Sequence, residues 1–263
     1  MRIQNKQPTI VTMKWGSAYS SHEVNVLFRA VTAHTSGHID FVCMTDNPDG
    51  LDPKIKKREI PLSGLNGVPD EWMNLGGVWP KICLYHPDLN EEFRQVLFLD
   101  IDMVIVGNID PLLADPGDKL VMLNGGKGWK FRDERLAPEP MSSVLSFQPR
   151  FHVDIFEQFA ANPRAAMAQF STEQEFVGYA AGKIGFFPLT WTESFKYHLR
   201  RYPVVDMFVP PKRPKESTQI VVFHGFPNPS HVVGDGTRWS QFPRVSWRRP
   251  RWLQDYWERY SVP

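Results

Sequence analysis

Cysteine is scarce in this sequence: Cys43 and Cys83 are the only two, and both lie in apolar runs. Two cysteines cannot form the network of disulfides that stabilises small secreted proteins. Buried free thiols commonly occupy apolar positions of this kind. We therefore expect two free thiols, and one disulfide between them is the alternative that the sequence leaves open.

Long apolar runs and an excess of one charge are also missing. No run approaches the roughly 20 apolar residues of a membrane span, and the N-terminal segment MRIQNKQPTIVTMKWG lacks the apolar stretch of a signal peptide. The formal net charge of +1 gives no bulk electrostatic reason for binding nucleic acid. These absences predict a cytoplasmic protein without a nucleic-acid partner.

The first fifty residues contain the pattern of an α/β protein. Apolar runs from Thr9 to Met13 and from Ile39 to Met44 each predict a strand. Between them, Ser20 and Glu23 have the spacing of a capping box ahead of an amphipathic helix. The strand, helix, strand order predicts a parallel sheet and an α/β fold class.

Apolar runs later in the chain predict further elements. Val96 to Leu99 is apolar at consecutive positions, as in a strand covered on both faces, and Met103 to Val106 follows shortly after. Ile220 to Phe223 predicts a late strand. A helical stripe is predicted from Phe151, Ile155, Phe156 and Phe159.

Two acidic residues come directly after the run that ends at Leu99. Side chains alternate along an extended segment, so Asp100 and Asp102 point the same way. Acids in such apolar surroundings are costly unless something neutralises them, and Mg²⁺ or Mn²⁺ typically bridges carboxylates to substrate phosphates. In an open α/β sheet, ligands bind beyond the carboxyl ends of the strands. The pair predicts a metal site, with a solvated turn or two helix-capping aspartates as the alternative.

A histidine at a second strand end supports the metal interpretation. His224 follows the run Ile220 to Phe223 and precedes Gly225, a turn residue. A neutral imidazole at that point would complete the coordination of an ion held by Asp100 and Asp102. A hydrogen-bonded histidine at a strand end is the plain alternative.

At these residues the chain resembles the glycosyltransferases of the GT-A fold, and most closely the family-8-like bacterial branch. The correspondence runs in order over about Ile10 to Val233, and its most specific element is Asp100-Ile101-Asp102, which matches the DxD metal motif. The resemblance implies a Rossmann-like, mostly parallel mixed sheet flanked by helices in one domain, residues 1–233. It also implies Mn²⁺ or Mg²⁺, a nucleotide-sugar donor with UDP favoured, and a glycan, glycolipid or other hydroxyl acceptor.

The resemblance assigns further site residues. Those expected to bind the nucleotide are Lys14, Trp15, Tyr19, Thr45, Asp46 and Lys81. Those expected to line the donor sugar are Asn124, Ser142 and Ser143. The catalytic pair near the reacting carbon is expected to be Glu173 and Gln174, where relatives carry Asp-Gln. Each position has an ordinary structural alternative, and for Gln174 it is a capping box with Ser171.

The chain departs from the family pattern after His224. Relatives usually place a lysine there that contacts the diphosphate, whereas this chain has Phe226-Pro227-Asn228-Pro229. Lys81, Lys183 and Arg238 are the cations considered for that role. The resemblance implies transfer with retention of the anomeric configuration; in an inverting route Glu173 would serve as the base.

Residues 234–263 form an extension rich in tryptophan and arginine. One interpretation is a C-terminal helix that packs on the domain and leaves its arginines solvated. The other is an arm that contacts a partner or a membrane surface, since arginine and tryptophan together suit a bilayer interface. The second interpretation would place the protein at the inner face of the membrane.

Two other functions stay open. The segment LFLDIDMV resembles the nucleophile segment of haloacid dehalogenase-type phosphatases, in which the first aspartate, here Asp100, attacks phosphorus. That motif normally lies near the start of its domain, whereas about a hundred residues precede it here. A non-catalytic sugar- or nucleotide-binding module on the same fold is the other alternative.

Overall fold

The computed structural model describes residues 7–66, 68, 77–234, 239–240 and 246–262. The strands are β1 (Thr9–Lys14), β2 (Asp40–Thr45), β3 (Lys56–Arg58), β4 (Val96–Leu99), β5 (Met103–Ile105), β6 (Leu120–Gly125), β7 (Glu139–Phe147), β8 (Ile184–Phe186), β9 (Thr192–Ser194) and β10 (Ile220–Val222). The α-helices are α1 (Ser21–Ala33), α2 (Leu89–Glu92), α3 (Gly126–Phe131), α4 (Val153–Ala161), α5 (Pro163–Gln169), α6 (Glu173–Ala180), α7 (Pro203–Asp206), α8 (Pro229–Val233) and α9 (Arg251–Ser261).

Within these residues the strands form a seven-stranded sheet in the order β3-β2-β1-β4-β7-β6-β8 and a three-stranded sheet in the order β5-β10-β9. In the large sheet only β7 runs against its neighbours β4 and β6. The aspartate segment joins the two sheets, because β4 ends just before Asp100 and β5 begins just after Asp102. The predicted mostly parallel mixed sheet is confirmed.

The central strands are apolar at successive positions because both faces of the large sheet are covered. In β4, Leu97 and Leu99 point into a core shared with α1, the small sheet and α9. Val96 and Phe98 point into a second core, formed with α4, α6 and a 3-10 segment, Trp79–Tyr85. Side chains of a strand alternate between faces, so a doubly covered strand has to be apolar throughout.

Helix α1 begins as its sequence predicts. The carboxylate of Glu23 accepts the backbone N–H of Ser20 at 2.7 Å, which completes the capping box. Its apolar face is buried against the large sheet. The stripe predicted for α4 is wrong at one end, because Phe151 lies exposed in a 3-10 turn, Pro149–Phe151, before the helix begins.

The C-terminal helix α9 packs against α1. Leu253, Tyr256 and Tyr260 enter the first core, and Nη1 of Arg29 donates to the terminal carbonyls of Tyr260 and Ser261, both at 3.0 Å. A guanidinium at a helix C-terminus satisfies carbonyls that have no partner within the helix. Helix α9 is therefore packed on the domain, whereas Arg238 lies outside the described residues.

Two expectations about the chain as a whole meet direct observations. Cys43 and Cys83 are both buried free thiols, and they belong to different cores, so the alternative of a disulfide between them is wrong. Within the residues that the structure describes, none of the helices has both the length and the apolar character of a membrane span.

Candidate active site

A cavity of about 470 Å³ opens where β1 and β4 end and where β7 passes in the opposite direction. The first residues of α6 and the segment that follows β10 complete its wall. This is the edge of an open α/β sheet at which ligands characteristically bind. Of the predicted site residues, those that line the cavity are Trp15, Tyr19, Lys81, Asp100, Asp102, Ser142, Ser143, Glu173, Gln174 and His224.

Asp100 is held by its backbone and by a buried lysine. Its backbone N–H donates to the carbonyl of Ser143 at 2.9 Å, which ties the end of β4 to β7. Its Oδ2 accepts from Nζ of Lys81 at 2.7 Å. Burial by itself lowers the pKa of Lys81, but the charges of Asp100, Glu173 and Asp102 outweigh it, and the net shift is upward. Lys81 is therefore a fixed cation in the cavity wall.

Asp102 carries a strongly perturbed carboxyl group. Burial, followed by the negative charge of Asp100, raises the pKa of Asp102 to about 7. The hydroxyl of Tyr19 donates to its Oδ2 at 3.0 Å. Burial and then the charge of Asp102 raise the pKa of Tyr19, so the phenol stays protonated and acts as a donor. The shift indicates that the surrounding protein does not fully compensate two negative charges at Asp100 and Asp102.

Glu173 is a buried acid at the first position of α6. Its Oε2 accepts from the hydroxyl of Ser142 at 3.2 Å, while its Oε1 is buried without a hydrogen-bond partner. Burial raises the pKa of Glu173 to about 7; Lys81 opposes the shift and Asp100 adds to it. A buried carboxyl oxygen without a partner is costly in a folded protein. It marks a group that a ligand could satisfy.

Gln174 faces the cavity and does not cap the helix. Its Oε1 accepts the backbone N–H of Ser142 at 3.0 Å. The cap of α6 is Thr172, whose hydroxyl accepts the backbone N–H of Glu175 at 3.2 Å. The suggested capping box between Ser171 and Gln174 is therefore wrong, because the helix begins one residue later than that spacing requires.

His224 enters the cavity from the small sheet. Its Nε2 shares a 2.8 Å hydrogen bond with the hydroxyl of Ser194, and its ring lies 4.9 Å from that of Tyr197. Burial, then the charges of Lys196 and His198, lower the pKa of His224 to about 4, so the imidazole is neutral at pH 7. Gly225 then turns the chain away with φ 68°, a conformation that glycine adopts readily.

Asp100, Asp102 and His224 have the donor atoms that a divalent cation prefers, but the three side chains are not grouped around one point. Two carboxylates and a neutral imidazole are donors that Mn²⁺ and Mg²⁺ accept, and the raised pKa of Asp102 indicates negative charge that a cation would neutralise. However, in the parts of the chain that the structure describes, no three His, Cys, Asp or Glu side chains are grouped closely enough to hold one ion. The three-ligand set stays a prediction.

Four predicted residues do not line the cavity. Nζ of Lys14 donates to the carbonyl of Asn47 at 3.4 Å, and the hydroxyl of Thr45 bonds the same residue at 3.0 Å. Asp46 accepts the backbone N–H of Gly16 at 2.9 Å. These bonds hold the two loops that follow β1 and β2. The predicted nucleotide contacts of Lys14, Thr45 and Asp46 stay predictions. Asn124 lies on β6, where its Oδ1 accepts the N–H of Glu139 at 3.3 Å.

Among the three cations considered for the missing lysine, Lys81 lies in the cavity wall. Lys183 instead pairs with the exposed Asp118 ahead of β8. Two further site residues were not predicted from the sequence. Ser194 contacts His224, and Asn228 lines the cavity directly. Ser194 ends a three-residue strand, and no local pattern distinguishes it.

The sheet order, the reversed β7 and a cavity with an Asp-x-Asp segment at the end of β4 define a GT-A-like α/β fold. Solved structures similar to this chain include glycosyltransferases. The galactosyltransferase LgtC, in complex with donor and acceptor sugar analogues, is 16% identical, with a TM-score of 0.59 and 97% of each chain covered. An active-site glutamine-to-glutamate mutant of LgtC gives a TM-score of 0.58 at the same identity and coverage.

Two larger proteins share the fold over part of their length. GlyE of Streptococcus pneumoniae is 12% identical, with a TM-score of 0.58 over 98% of this chain and 61% of that protein. The bifunctional glycosyltransferase WbbM is 11% identical, with a TM-score of 0.59 over all of this chain and 51% of that protein. No protein-family model and no curated protein matches the sequence. Likeness at these identities establishes the fold, and the family-8 assignment stays a prediction.

Proposed function

We propose that this chain is a glycosyltransferase that moves a sugar from a nucleoside diphosphate sugar, with UDP favoured, to a hydroxyl acceptor. The observation that carries the proposal is the cavity at the strand ends, where Lys81 meets three acidic side chains, Asp100, Asp102 and Glu173. Excess negative charge beside a fixed cation suits a site that takes a metal ion together with a diphosphate. The same fold in LgtC holds donor and acceptor sugar analogues.

The donor nucleotide is assigned to the wall formed by the loop after β1. Trp15 and Tyr19 expose aromatic surface to the cavity, and Nε1 of Trp15 is fixed on the carbonyl of Gly77 at 3.2 Å. A base stacks favourably on such rings. Lys81, which takes the place of the lysine missing after His224, supplies positive charge for the diphosphate.

Asp100 and Asp102, with His224 as the third candidate, would hold Mn²⁺ or Mg²⁺. A divalent cation bound there supplies Lewis-acid stabilisation of the charge that develops on the leaving diphosphate. The protein's own part is to keep the two carboxylates oriented. The backbone bond from Asp100 to Ser143 and the hydroxyl of Tyr19 on Asp102 provide that orientation.

Transfer is proposed to proceed with retention. In such a route the leaving phosphate accepts the acceptor's proton, so the protein needs no strong base. Gln174, fixed on the backbone of Ser142, and Glu173, with an oxygen free of partners, are proposed to stabilise positive charge at the anomeric carbon. Inversion would require Glu173 to act as the base instead.

The test is slow hydrolysis and transfer with a panel of nucleotide sugars in the presence of Mn²⁺, followed by mass spectrometry. Turnover of one donor, its loss in Asp102→Asn, and an NMR assignment of the product's anomeric configuration would support the proposal and its stereochemistry. Thermal shifts with each donor, with and without Mn²⁺, identify the nucleotide independently of an acceptor. Binding without hydrolysis would instead indicate a non-catalytic module.

The phosphatase alternative is not favoured. Its aspartate must attack phosphorus, whereas the similar solved structures described above are glycosyltransferases. Brief incubation with a phosphoryl donor is expected to leave Asp100 without a phosphoryl label. A labelled aspartate would reverse the choice between the two functions.

A further inference from the structure

A loop on the surface exposes apolar side chains that a folded protein normally buries. It follows the π-helical turn Phe195–Leu199 and contains the short helix α7. Tyr202 is 84% exposed, Val204 71% and Phe208 64%. Trp247, 50% exposed, joins them from the C-terminal extension, with its ring 6.5 Å from that of Phe208. Contiguous exposed apolar groups of this kind mark interaction surfaces.

Hydrogen bonds within the loop hold these apolar side chains at the surface. Its base is closed by the backbone N–H of Lys212, which donates to the carbonyl of Leu199 at 2.8 Å. Inside it, Nε of the buried Arg200 donates to Oδ2 of Asp206 at 2.6 Å, and Nη2 donates to the hydroxyl of Ser246 at 3.1 Å. The buried charges Arg200 and Asp206 are thus paired inside the loop, and its exposed tip consists mainly of apolar side chains.

Basic residues predominate around this apolar tip. Residues 196–215 contain six lysines and arginines and a single acid, Asp206, which Arg200 neutralises, although the whole chain has a formal net charge of only +1. Lys212, Arg213 and Lys215 are exposed at the base of the loop, and Glu216 follows them. Arg213 and Lys215 also border a separate cavity of about 350 Å³, whose wall contains Arg259 and the acids Glu216 and Asp255 as well.

We propose that the 200–212 loop docks this protein on an anionic lipid surface. The tip residues Tyr202, Val204 and Phe208 enter the boundary between headgroups and acyl chains, and the cations at the base bind the headgroups. Apolar and aromatic side chains next to clustered lysine and arginine are the combination that such a surface selects. A second copy of the chain suits the patch poorly, because it would bring the same cations face to face.

The experiment is flotation of the full-length protein with vesicles of phosphatidylcholine alone and with vesicles that also contain phosphatidylglycerol. Binding is expected only to the anionic vesicles and is expected to weaken as salt is added. The double variant Val204→Ser, Phe208→Ser should lower the apparent affinity at least about tenfold, since both side chains lose apolar burial. Lys212→Gln and Arg213→Gln should each lower it about fivefold.

Tyr179→Ser is the matched control, because Tyr179 is 69% exposed but lies on α6, outside the patch. It should bind vesicles like the wild type, and all variants should keep the wild-type circular dichroism and melting temperature. No binding to anionic vesicles, or unchanged binding by the double variant, would overturn the proposal. So would self-association that the double variant abolishes without any vesicle binding, since the patch would then be a contact between copies.

Discussion

Two ion pairs among the described residues differ in how completely they are satisfied. Arg200 and Asp206 lie almost without solvent contact, and the guanidinium also reaches Ser246 and Ser240 at 3.1 and 3.4 Å. Lys81 and Asp100 lie at the wall of the large cavity, with two further acids nearby. In the first pair one guanidinium balances one carboxylate. At the second, the single ammonium group of Lys81 lies among three carboxyl groups, those of Asp100, Asp102 and Glu173.

This difference separates a structural pair from a binding site. A balanced, fully hydrogen-bonded pair holds a loop in place and has no capacity for another partner. An excess of acid, with the pKa of both Asp102 and Glu173 raised to about 7, leaves capacity that a cation or a hydroxyl-rich ligand can use. Breaking the first should cost stability, and breaking the second should cost activity.

The largest effect is expected for Arg200→Met. The variant leaves Asp206 buried without its partner, which should lower the free energy of unfolding by about 3–5 kcal/mol. Urea denaturation measures the change. Arg135→Met, which removes a solvent-exposed arginine paired with Asp133, is the control and should change it by less than about 1 kcal/mol. Equal losses in the two variants would contradict the distinction between a buried and an exposed pair.

Asp102→Asn, in contrast, is expected to lower activity and to leave stability intact. Turnover of the nucleotide sugar is expected to fall about 100- to 1000-fold, because a stabiliser of the developing charge is lost. Stability without metal should be unchanged or higher, since the substitution removes one of two neighbouring negative charges. Steady-state kinetics and urea denaturation measure the two quantities. Asp118→Asn, at the exposed pair with Lys183, is expected to retain activity.

The pH dependence of stability should report the excess acid. Because the pKa of Glu173 is raised from 4.5 to about 7, the folded state binds a proton that the unfolded state has released between these values. The contribution of Glu173 to the free energy of unfolding without metal should therefore fall as pH rises through this window, by up to about 3 kcal/mol. The lowered pKa of His224 acts in the opposite direction below about pH 6.5, so the contribution of Glu173 is read from the difference between the wild type and a Glu173 variant.

Glu173→Gln removes that titration, so the free energy of unfolding of the variant should gain on that of the wild type as pH rises. Glu157→Gln, at an exposed position on α4, should keep the wild-type pH dependence. Urea denaturation at a series of pH values between about 5 and about 8 compares the three proteins. Parallel curves for the wild type and Glu173→Gln would show that Glu173 is ionised and well compensated in the folded state.

The smallest effects on stability and turnover are expected for two serine hydroxyls that bond the charged groups of the two regions. Ser246→Ala removes a hydrogen bond from Arg200 and should cost about 1.5 kcal/mol of stability with turnover unchanged. Ser142→Ala removes the hydroxyl that bonds Glu173 and should reduce turnover more than stability. Urea denaturation and steady-state kinetics on both variants measure these changes. Equal losses of stability and turnover in the two variants would contradict the distinction between the two regions.

The fold and the aspartate segment were predictable because each is encoded in neighbouring residues. Alternating burial makes β4 continuously apolar, the cap of α1 requires only Ser20 and Glu23, and Asp100 and Asp102 are two residues apart. The fold class, the helix start and the free cysteines are confirmed on that basis.

The rest of the site depends on contacts between distant segments. The bond from Lys81 to Asp100 spans 19 residues and that from Tyr19 to Asp102 spans 83, and no local pattern specifies either. Gln174 had the spacing of a cap, yet Thr172 caps the helix and frees the glutamine for Ser142. The pairing of Arg200 with Asp206 was likewise invisible, because a loop has no periodicity from which to infer an inward-facing charge.

The aspartate segment is also the place where the chain passes from the large sheet to the small one. Asp100 belongs to the end of β4, whereas His224 is carried by β10, whose backbone is hydrogen-bonded to β5 and β9. A ligand bonded to both residues bridges the two sheets. Suppose that such a ligand binds more tightly when the sheets are in contact. Because linkage is reciprocal, the ligand then stabilises that contact by the same free energy by which the contact raises the ligand's affinity.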